Sequence, residues 1–543
     1  MSSLFHPSAR RPRILSDGDL IQIVLGLDFA NFPQSGRQAP LQATDQLRRR
    51  FGAYVSFHID RAEERISVLR DPTGRICLWR LPLPEGDLLF SELDDVRAFM
   101  ATRPRLNWDY LHYHLHIPWL WGSQTAFEDI TEIEPGACLI YPPRAEPFSR
   151  QLWRPADFAS DPFQSLEEAK RGLRAAAEQS AYQWANAYDK IALFLSGGLD
   201  SSIVLGLLRG YARHPDVVGV NLYIDDDKGD ERRYAHEAAQ LHGVQLKALK
   251  YSSDRPLKQD LVRHLLRPSL TQFPSGLGDM ASAAFREIEA DAYMTGAGGD
   301  HLFMAAPKLD AAADTLRLRG VLALLSASSG IGRAAGDTAW AALGSAIKGF
   351  GRRHPSIKNA IPADDPMVSA SPSEASLRSN APQAYVDAVE NTPPAKLRQI
   401  MHICELQRHY TRHSIPHPAE EAHPLFSQPL IEAALRTPSF WFNNGRINRS
   451  LAREVFNDLL SQNTLRRRSK TTGQAHVVRV LQRDIAANRV LLLDGELVRR
   501  GLLDREKVDL ALRAEGLAIQ KNAASLINCI TTEQWIQESG ALD

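Results

Sequence analysis

The sequence predicts an α/β protein of two domains: an N-terminal β-rich sandwich, and a C-terminal domain with a parallel sheet and a helical C-terminal part. Three observations carry this prediction. Short β-type runs broken by turn residues extend to about residue 155; the hydrophobic period turns helical near residue 165; strands and helices then alternate. At 543 residues the chain is also too long for one ordinary core.

The elements follow in order. "LIQIVLGL", "YVSFHI", "RISVLRD" and "RICLWRL" are β-type runs, and "DPTG" at 71–74 is a turn between the last two. They place an antiparallel, sheet-rich domain over residues 1–160. After the punctuation "QLWRPADFASDP", the run "SLEEAKRGLRAAAEQSAYQWANAY" opens a second domain, 161–543, as an amphipathic helix with Ser165 as N-cap and Glu168 three residues on. Strand "KIALFLS", a helix over 200–213, strand "VVGVNLYI", helix "DERRYAHEAAQLHG", strand "QLKALKY", a helix near 256–266 and strand "DAYMTGA" then build βαβ units. Residues 326–382, rich in Ala, Ser, Gly and Pro, read as a flexible insertion, and 383–543 as helical.

Composition narrows the function classes. Lys plus Arg and Asp plus Glu both number 64, so nothing in the charge balance argues for nucleic acid or an anionic membrane surface. No run approaches the ~20 apolar residues of a membrane span, and the N-terminal segment lacks a signal-peptide core; a cytoplasmic location is expected. Cys77, Cys138, Cys404 and Cys529 are scattered without CxxC pairs, which favours a reducing compartment and disfavours zinc.

The chemistry begins at "LFLSGGLDSS", 193–202. A loop of Ser196, Gly197, Gly198, Leu199, Asp200, Ser201 and Ser202 at the carboxyl end of a strand can turn backbone N–H groups, two hydroxyls and a helix N-terminus on an anion. It has neither the GK[ST] ending of a Walker A loop nor the GxGxxG spacing. Asp200 beside phosphates makes sense with Mg²⁺ between them. "TGAGGDHLF", 295–303, repeats the arrangement with Gly296, Gly298, Gly299 and Asp300, so Asp200 and Asp300 are expected in one crevice holding Mg²⁺ against a triphosphate.

These residues resemble the asparagine synthetases, within the PP-loop ATP pyrophosphatases, whose loops read SGGxDSS and SGEGSDE. "TRHSIPHPAEEAHPLFSQPLIEAAL", 411–435, is similar to that family's DRxSMAxGLExRVPFLDHRLVEFAL, and "GRINRSLAREVFNDLLSQNTLRRRSKTTG", 445–473, to its GxxKxxLRxxxxxLLPxxIxxRxKxG. "VLRDPTGRICLWR", "LFSELDDVRAF" and "ITEIEPGACLI" resemble a glutaminase (Ntn-type) domain. The resemblance therefore implies a degenerate glutaminase-like domain over 1–160 and an ATP-binding synthetase domain over 161–543.

The departures from the family pattern redirect the expectation. The chain begins Met1, Ser2, Ser3 where a glutaminase of this class has a nucleophilic Cys at position 2, so ammonia from glutamine is not expected. Ala297 and His301 replace acids of SGEGSDE, and Ala422 and Ser427 replace an Arg and an Asp, which reads as a rebuilt acceptor side beside retained ATP chemistry. The "GxGGDH" form is similar to lasso peptide cyclases, and β-lactam synthetases share the loss of glutaminase chemistry. The first resemblance implies ATP-dependent adenylation of an Asp or Glu side chain in a ribosomal precursor peptide, attack by the peptide's own α-amine, and release of AMP. It also implies a leader-binding protein and a leader peptidase as partners. An ammonia-dependent asparagine synthetase, a β-lactam synthetase and an inactive precursor-binding scaffold are the rival readings.

Within that scheme Lys470 matches the family's RxK lysine and would place positive charge on phosphate, though "RRRSK" is also a plain solvated run. Glu420, with Glu421 beside it, is the candidate general base or else a surface acid. His301 is a candidate for orienting substrate or else a packing histidine. Tyr385 and Tyr410 are weaker candidates for a Tyr–Glu pair, and Glu231 resembles an acid opening the helix after the adenine-side strand.

Overall fold

The computed structural model describes residues 12–30, 39–96, 105–210, 215–224, 230–251, 265–269, 277–351, 356–361, 365–407, 419–468, 478, 481–513 and 520–539. Its first part is antiparallel. Strands β1 (Arg13–Asp17), β2 (Leu20–Ala30), β3 (Arg50–Asp60), β4 (Arg65–Arg70), β8 (Ala137–Tyr141) and β9 (Phe148–Gln151) form one six-stranded sheet in that order. Strands β5 (Trp79–Leu83), β6 (Gly86–Phe90) and β7 (Thr131–Glu132) form a second sheet, ordered β6-β5-β7. The strand expected over "RICLWRL" starts only at Trp79; Arg70 spends its side chain on this stretch, Nε donating to Ile76 O at 2.8 Å and Nη2 to Gly74 O at 2.7 Å.

Successive residues of a strand point to opposite faces, and in the central strands of the large sheet both sets are buried, while the edge strands β1 and β9 are largely exposed. Val55, Val68, Ala137 and Leu139 pack with Ile76, Leu78 and Ile133 in a core between the sheets, whereas Tyr54 and Leu69 point into the helical core behind.

The second part carries a five-stranded sheet, β12-β11-β10-β13-β14, parallel throughout: β10 (Lys190–Phe194), β11 (Asp216–Ile224), β12 (Gln245–Tyr251), β13 (Ala292–Met294) and β14 (Glu420–Ala422). Ile191, Ala192 and Leu193 of β10 are fully buried, as expected for a strand covered by helices on both faces. The entering helix runs Leu166–Asn186, with the Ser165 side chain accepting from Glu168 N at 3.2 Å; Glu168 reaches back to Gln164 N instead of closing the box on Ser165. The helix after β10 spans Leu199–Arg209 and stops at Gly210. Strand β14 was not foreseen: three residues give too short a period to read. The helix expected near 256–266 lies almost wholly outside the described residues.

The reading of 326–382 as a flexible insertion is corrected. Helices Ala311–Ala335, Ala339–Gly351, Ile357–Ala360 and Glu374–Asn380 occupy most of it, the last two capped by Ser356 and Ser373. Alanine, counted as a loop signal beside Ser and Gly, is the strongest helix former, and Leu324, Ile331, Ala342 and Ala346 make a small core there. Among the described residues no helix is long and apolar enough to cross a membrane.

Candidate functional site

A cavity of about 360 Å³ opens beyond the carboxyl ends of β10, β11 and β13, where ligands of open α/β sheets sit. Its first wall is the loop after β10. Gly197 takes φ +66°, and a Cβ there would stand 2.2 Å from the backbone carbon of Tyr234, so only glycine passes. Gly198 caps the helix Leu199–Arg209, its N–H donating to Ser196 Oγ at 3.2 Å, and Ser196 Oγ lies 3.3 Å from Ser201 Oγ. The positive end of that helix therefore faces the cavity.

The second wall is the loop after β13. Thr295 Oγ1 accepts from Ala297 N at 3.0 Å and lies 2.8 Å from His423 Nδ1; Gly298 turns with φ +103° into the short helix Gly299–Leu302. The two loops interlock. A Cβ on Gly296 would stand 2.6 Å from Ser201 N, and one on Gly299 would stand 2.2 Å from Asp200 Oδ1.

This contact brings Asp200 and Asp300 together. Arg449 Nη1 donates to Asp200 Oδ1 at 2.9 Å and Oδ2 at 2.7 Å, and also to Asp300 Oδ1. One nitrogen touching both carboxylates means that both reach one point, and hard oxygen donors converging beside a phosphate cradle are what Mg²⁺ requires. The residues present fit that ion.

The third wall was missed in the sequence. Asn448, Arg449, Arg453, Thr464, Arg467 and Arg468 all line the cavity. Arg453 ties the segment, Nη1 donating to Thr464 O at 2.7 Å and Leu465 O at 3.0 Å; burial and then the neighbouring Arg449 lower its guanidinium to about 10. Arg467 pairs with Glu231 and lies over the Tyr234 ring, so Glu231 positions a cavity arginine. The available signal was the density of arginine in 445–473, which spacing alone could not assign to one face.

Of the expected residues, Ser196, Gly198, Leu199, Asp200, Ser201, Gly296, Gly298, Asp300 and His301 line the cavity, while Gly197, Ser202 and Gly299 pack behind it. Lys470 and Tyr410 lie outside the described residues. Glu420 is elsewhere. It sits at the first residue of β14, the end of the strand away from the cavity, where its Oε2 accepts from Tyr188 Oη at 2.7 Å and Arg75 Nη2 at 3.3 Å. The strand's polarity, hidden while β14 was unseen, explains the misplacement. Glu421 faces the other way, 3.2 Å from His423 Nε2; burial would raise its carboxyl, but the histidine prevails and holds it below the usual range. Tyr385 is buried and donates to Ala360 O at 3.2 Å. Ser427 caps the helix Gln428–Arg436 and accepts from Trp184 Nε1 at 2.9 Å, and Ala422 is fully buried; neither lines the cavity.

The family model described as asparagine synthase matches residues 172–537. An amidase, chyE, of Penicillium rubens is 27% identical over 239 residues, covering 40% of this chain and 34% of its own length; the chain thus spans about a third of that relative. Among solved structures, the U34-tRNA thiolase NcsA from Methanococcus maripaludis shares 16% identity over 30% of this chain and 52% of its own, with a TM-score of 0.16. A glutamine phosphoribosylpyrophosphate amidotransferase from B. subtilis shares 12% identity over 53% of this chain and 73% of its own, with a TM-score of 0.18.

Proposed function

The chain belongs to the asparagine synthase family, whose general chemistry is ATP-dependent amide formation, and on that premise we propose that it closes a macrolactam in a ribosomal precursor peptide. The observation that carries this reading is the charge of the cavity lining. Among the described residues its only acids are Asp200 and Asp300, both tied to Arg449, against four arginines. A free amino acid substrate brings an α-ammonium that stays charged and needs an acidic partner; the α-amine of the peptide has to arrive deprotonated to attack, so an acid-poor lining suits it. Ala297 and His301 in the second wall also leave the rim without the acids of the SGEGSDE pattern.

In this scheme the peptide's Asp or Glu carboxylate attacks the α-phosphorus of ATP, the α–β bridging bond breaks, and pyrophosphate leaves an acyl-adenylate. The peptide's α-amine then attacks the acyl carbon, loses a proton, and AMP departs; the peptide has lost one water. Two anions approach each other in the first step, so neutralisation dominates the barrier. Arg449, Arg453, Arg467 and Arg468, with the N-terminus of Leu199–Arg209, supply it from the protein. Asp200 and Asp300 would hold Mg²⁺, which adds charge neutralisation on the phosphates when bound. His301, in the same lining, would orient the carboxylate.

A precursor peptide, a leader-binding protein and a leader peptidase complete the proposal. The test mixes the chain with ATP, Mg²⁺, a candidate precursor and its protease. Appearance of AMP with a peptide lighter by one water supports the reading; AMP released with free aspartate and ammonia, and with no peptide, overturns it in favour of an asparagine synthetase.

A further inference from the structure

A second ligand cluster adjoins the cavity. His301 stands in the short helix after Asp300, and His402 and Glu405 stand three residues apart on the helix Pro394–Gln407. His402 Nδ1 lies 3.2 Å from Glu405 Oε2, the His301 and His402 rings meet edge to face with centroids 5.7 Å apart, and one donor atom from each of the three lies within 4.8 Å of the others. All three side chains are partly buried.

We propose that His301, His402 and Glu405 form a binding site for a divalent transition-metal ion of the zinc class, separate from the Asp200–Asp300 pair. Donor chemistry sets the assignment. Two imidazoles and one carboxylate suit Zn²⁺ or Co²⁺, and three protein ligands leave a fourth position open. The i, i+3 spacing of His402 and Glu405 puts both on one face of a helix, so two of the three ligands are preset by secondary structure. Because His301 also lines the cavity, the open position faces it and takes an oxygen ligand, such as a carboxylate, from the bound substrate. Asp200 and Asp300 offer oxygen only, whereas this cluster offers two ring nitrogens and one carboxylate, so hard and borderline ions are sorted between the two places. The proposal rests on donor geometry and stands whatever the peptide chemistry proves to be.

The test is metal binding by the full chain, stripped with chelator and titrated with Co²⁺. One equivalent should bind, with the visible absorption of a nitrogen- and oxygen-ligated cobalt ion, and Zn²⁺ should displace it. His402→Ala and Glu405→Gln should each weaken binding at least tenfold with unchanged circular dichroism, while Asp200→Asn should leave the cobalt spectrum intact. Absence of a one-equivalent spectrum, or a spectrum that survives both His402→Ala and Glu405→Gln, overturns the site; loss of the spectrum in Asp200→Asn alone would move the ion to the carboxylate pair and overturn it equally. Should either variant misfold, His301→Ala on the opposite element supplies the same readout.

Discussion

Arg449 adopts φ +52°, a left-handed conformation uncommon for a side chain with a Cβ, and is nearly buried while bridging two carboxylates. Its backbone N–H donates to Asn443 Oδ1 at 2.7 Å, which fixes the turn. Replacing it with Met strands Asp200, so Arg449→Met should lower stability by about 2 kcal/mol in urea denaturation, less than a fully buried pair because Asp300 is partly exposed. Asp200→Asn should reduce ATP–pyrophosphate exchange by about 100-fold or more with the fold intact, since it removes one of the two carboxylates that would hold Mg²⁺ against the phosphates. The residues of SGGLDSS and TGAGGDH were legible because a glycine-rich turn ending a strand has few physical purposes. Arg449 was not, because its place depends on a turn and on a segment more than 140 residues from Asp300. Glu420 was misread for the same reason: which end of a strand a residue occupies cannot be taken from a motif when the strand is three residues long.

Element geometry yields two further tests. In the helix Gly299–Leu302, a methyl at Gly299 would overlap Asp200 Oδ1, so Gly299→Ala should cost about 1–3 kcal/mol and abolish pyrophosphate exchange; a wild-type melting temperature would contradict this. In the helix Gln428–Arg436, Glu432 accepts from Trp153 Nε1 at 3.0 Å and Gln428 Nε2 at 2.8 Å, and burial raises its carboxyl to about 7. Between the ordinary 4.5 and about 7 the native state keeps a proton that the unfolded chain has lost, so stability falls as pH rises through this window. Glu432→Gln should therefore leave stability near pH 4 unchanged and raise it at pH 8 by about 2 kcal/mol, read as melting temperature against pH. Long elements such as Leu166–Asn186 were plain in the sequence, since their period repeats many times; β14 and the alanine-rich helices of 311–351 were not, because brevity and composition disguised them.

Across the whole molecule, the sheet-rich part and the parallel-sheet part meet through buried charge. Arg70 of β4 and Arg267 both pair with Glu132 of β7, Arg70 Nη1 at 2.5 Å, and all three are nearly inaccessible. Arg75 reaches Glu420 and Tyr188 of the parallel-sheet part. Removing one member of such a group leaves uncompensated charge, so Glu132→Gln should destabilise by about 3–5 kcal/mol, visible as an earlier urea midpoint and faster proteolysis between the two parts. The two-part architecture was legible from the change in hydrophobic period; the ionic seam joining the parts was not, because its members are up to 345 residues apart in the chain.

The interlocked loops bear on how such a site could be altered by exchange of parts. Gly296 and Gly299 admit the first loop so closely that neither loop has a shape of its own; each is the mould of the other. A chimera that imports only one of them from a relative would inherit a mismatch at the floor of the cavity, whereas the pair transplanted as a unit keeps its fit. Change in what the site accepts is thereby channelled to positions that project beyond the joint, of which Ala297 and His301 are two.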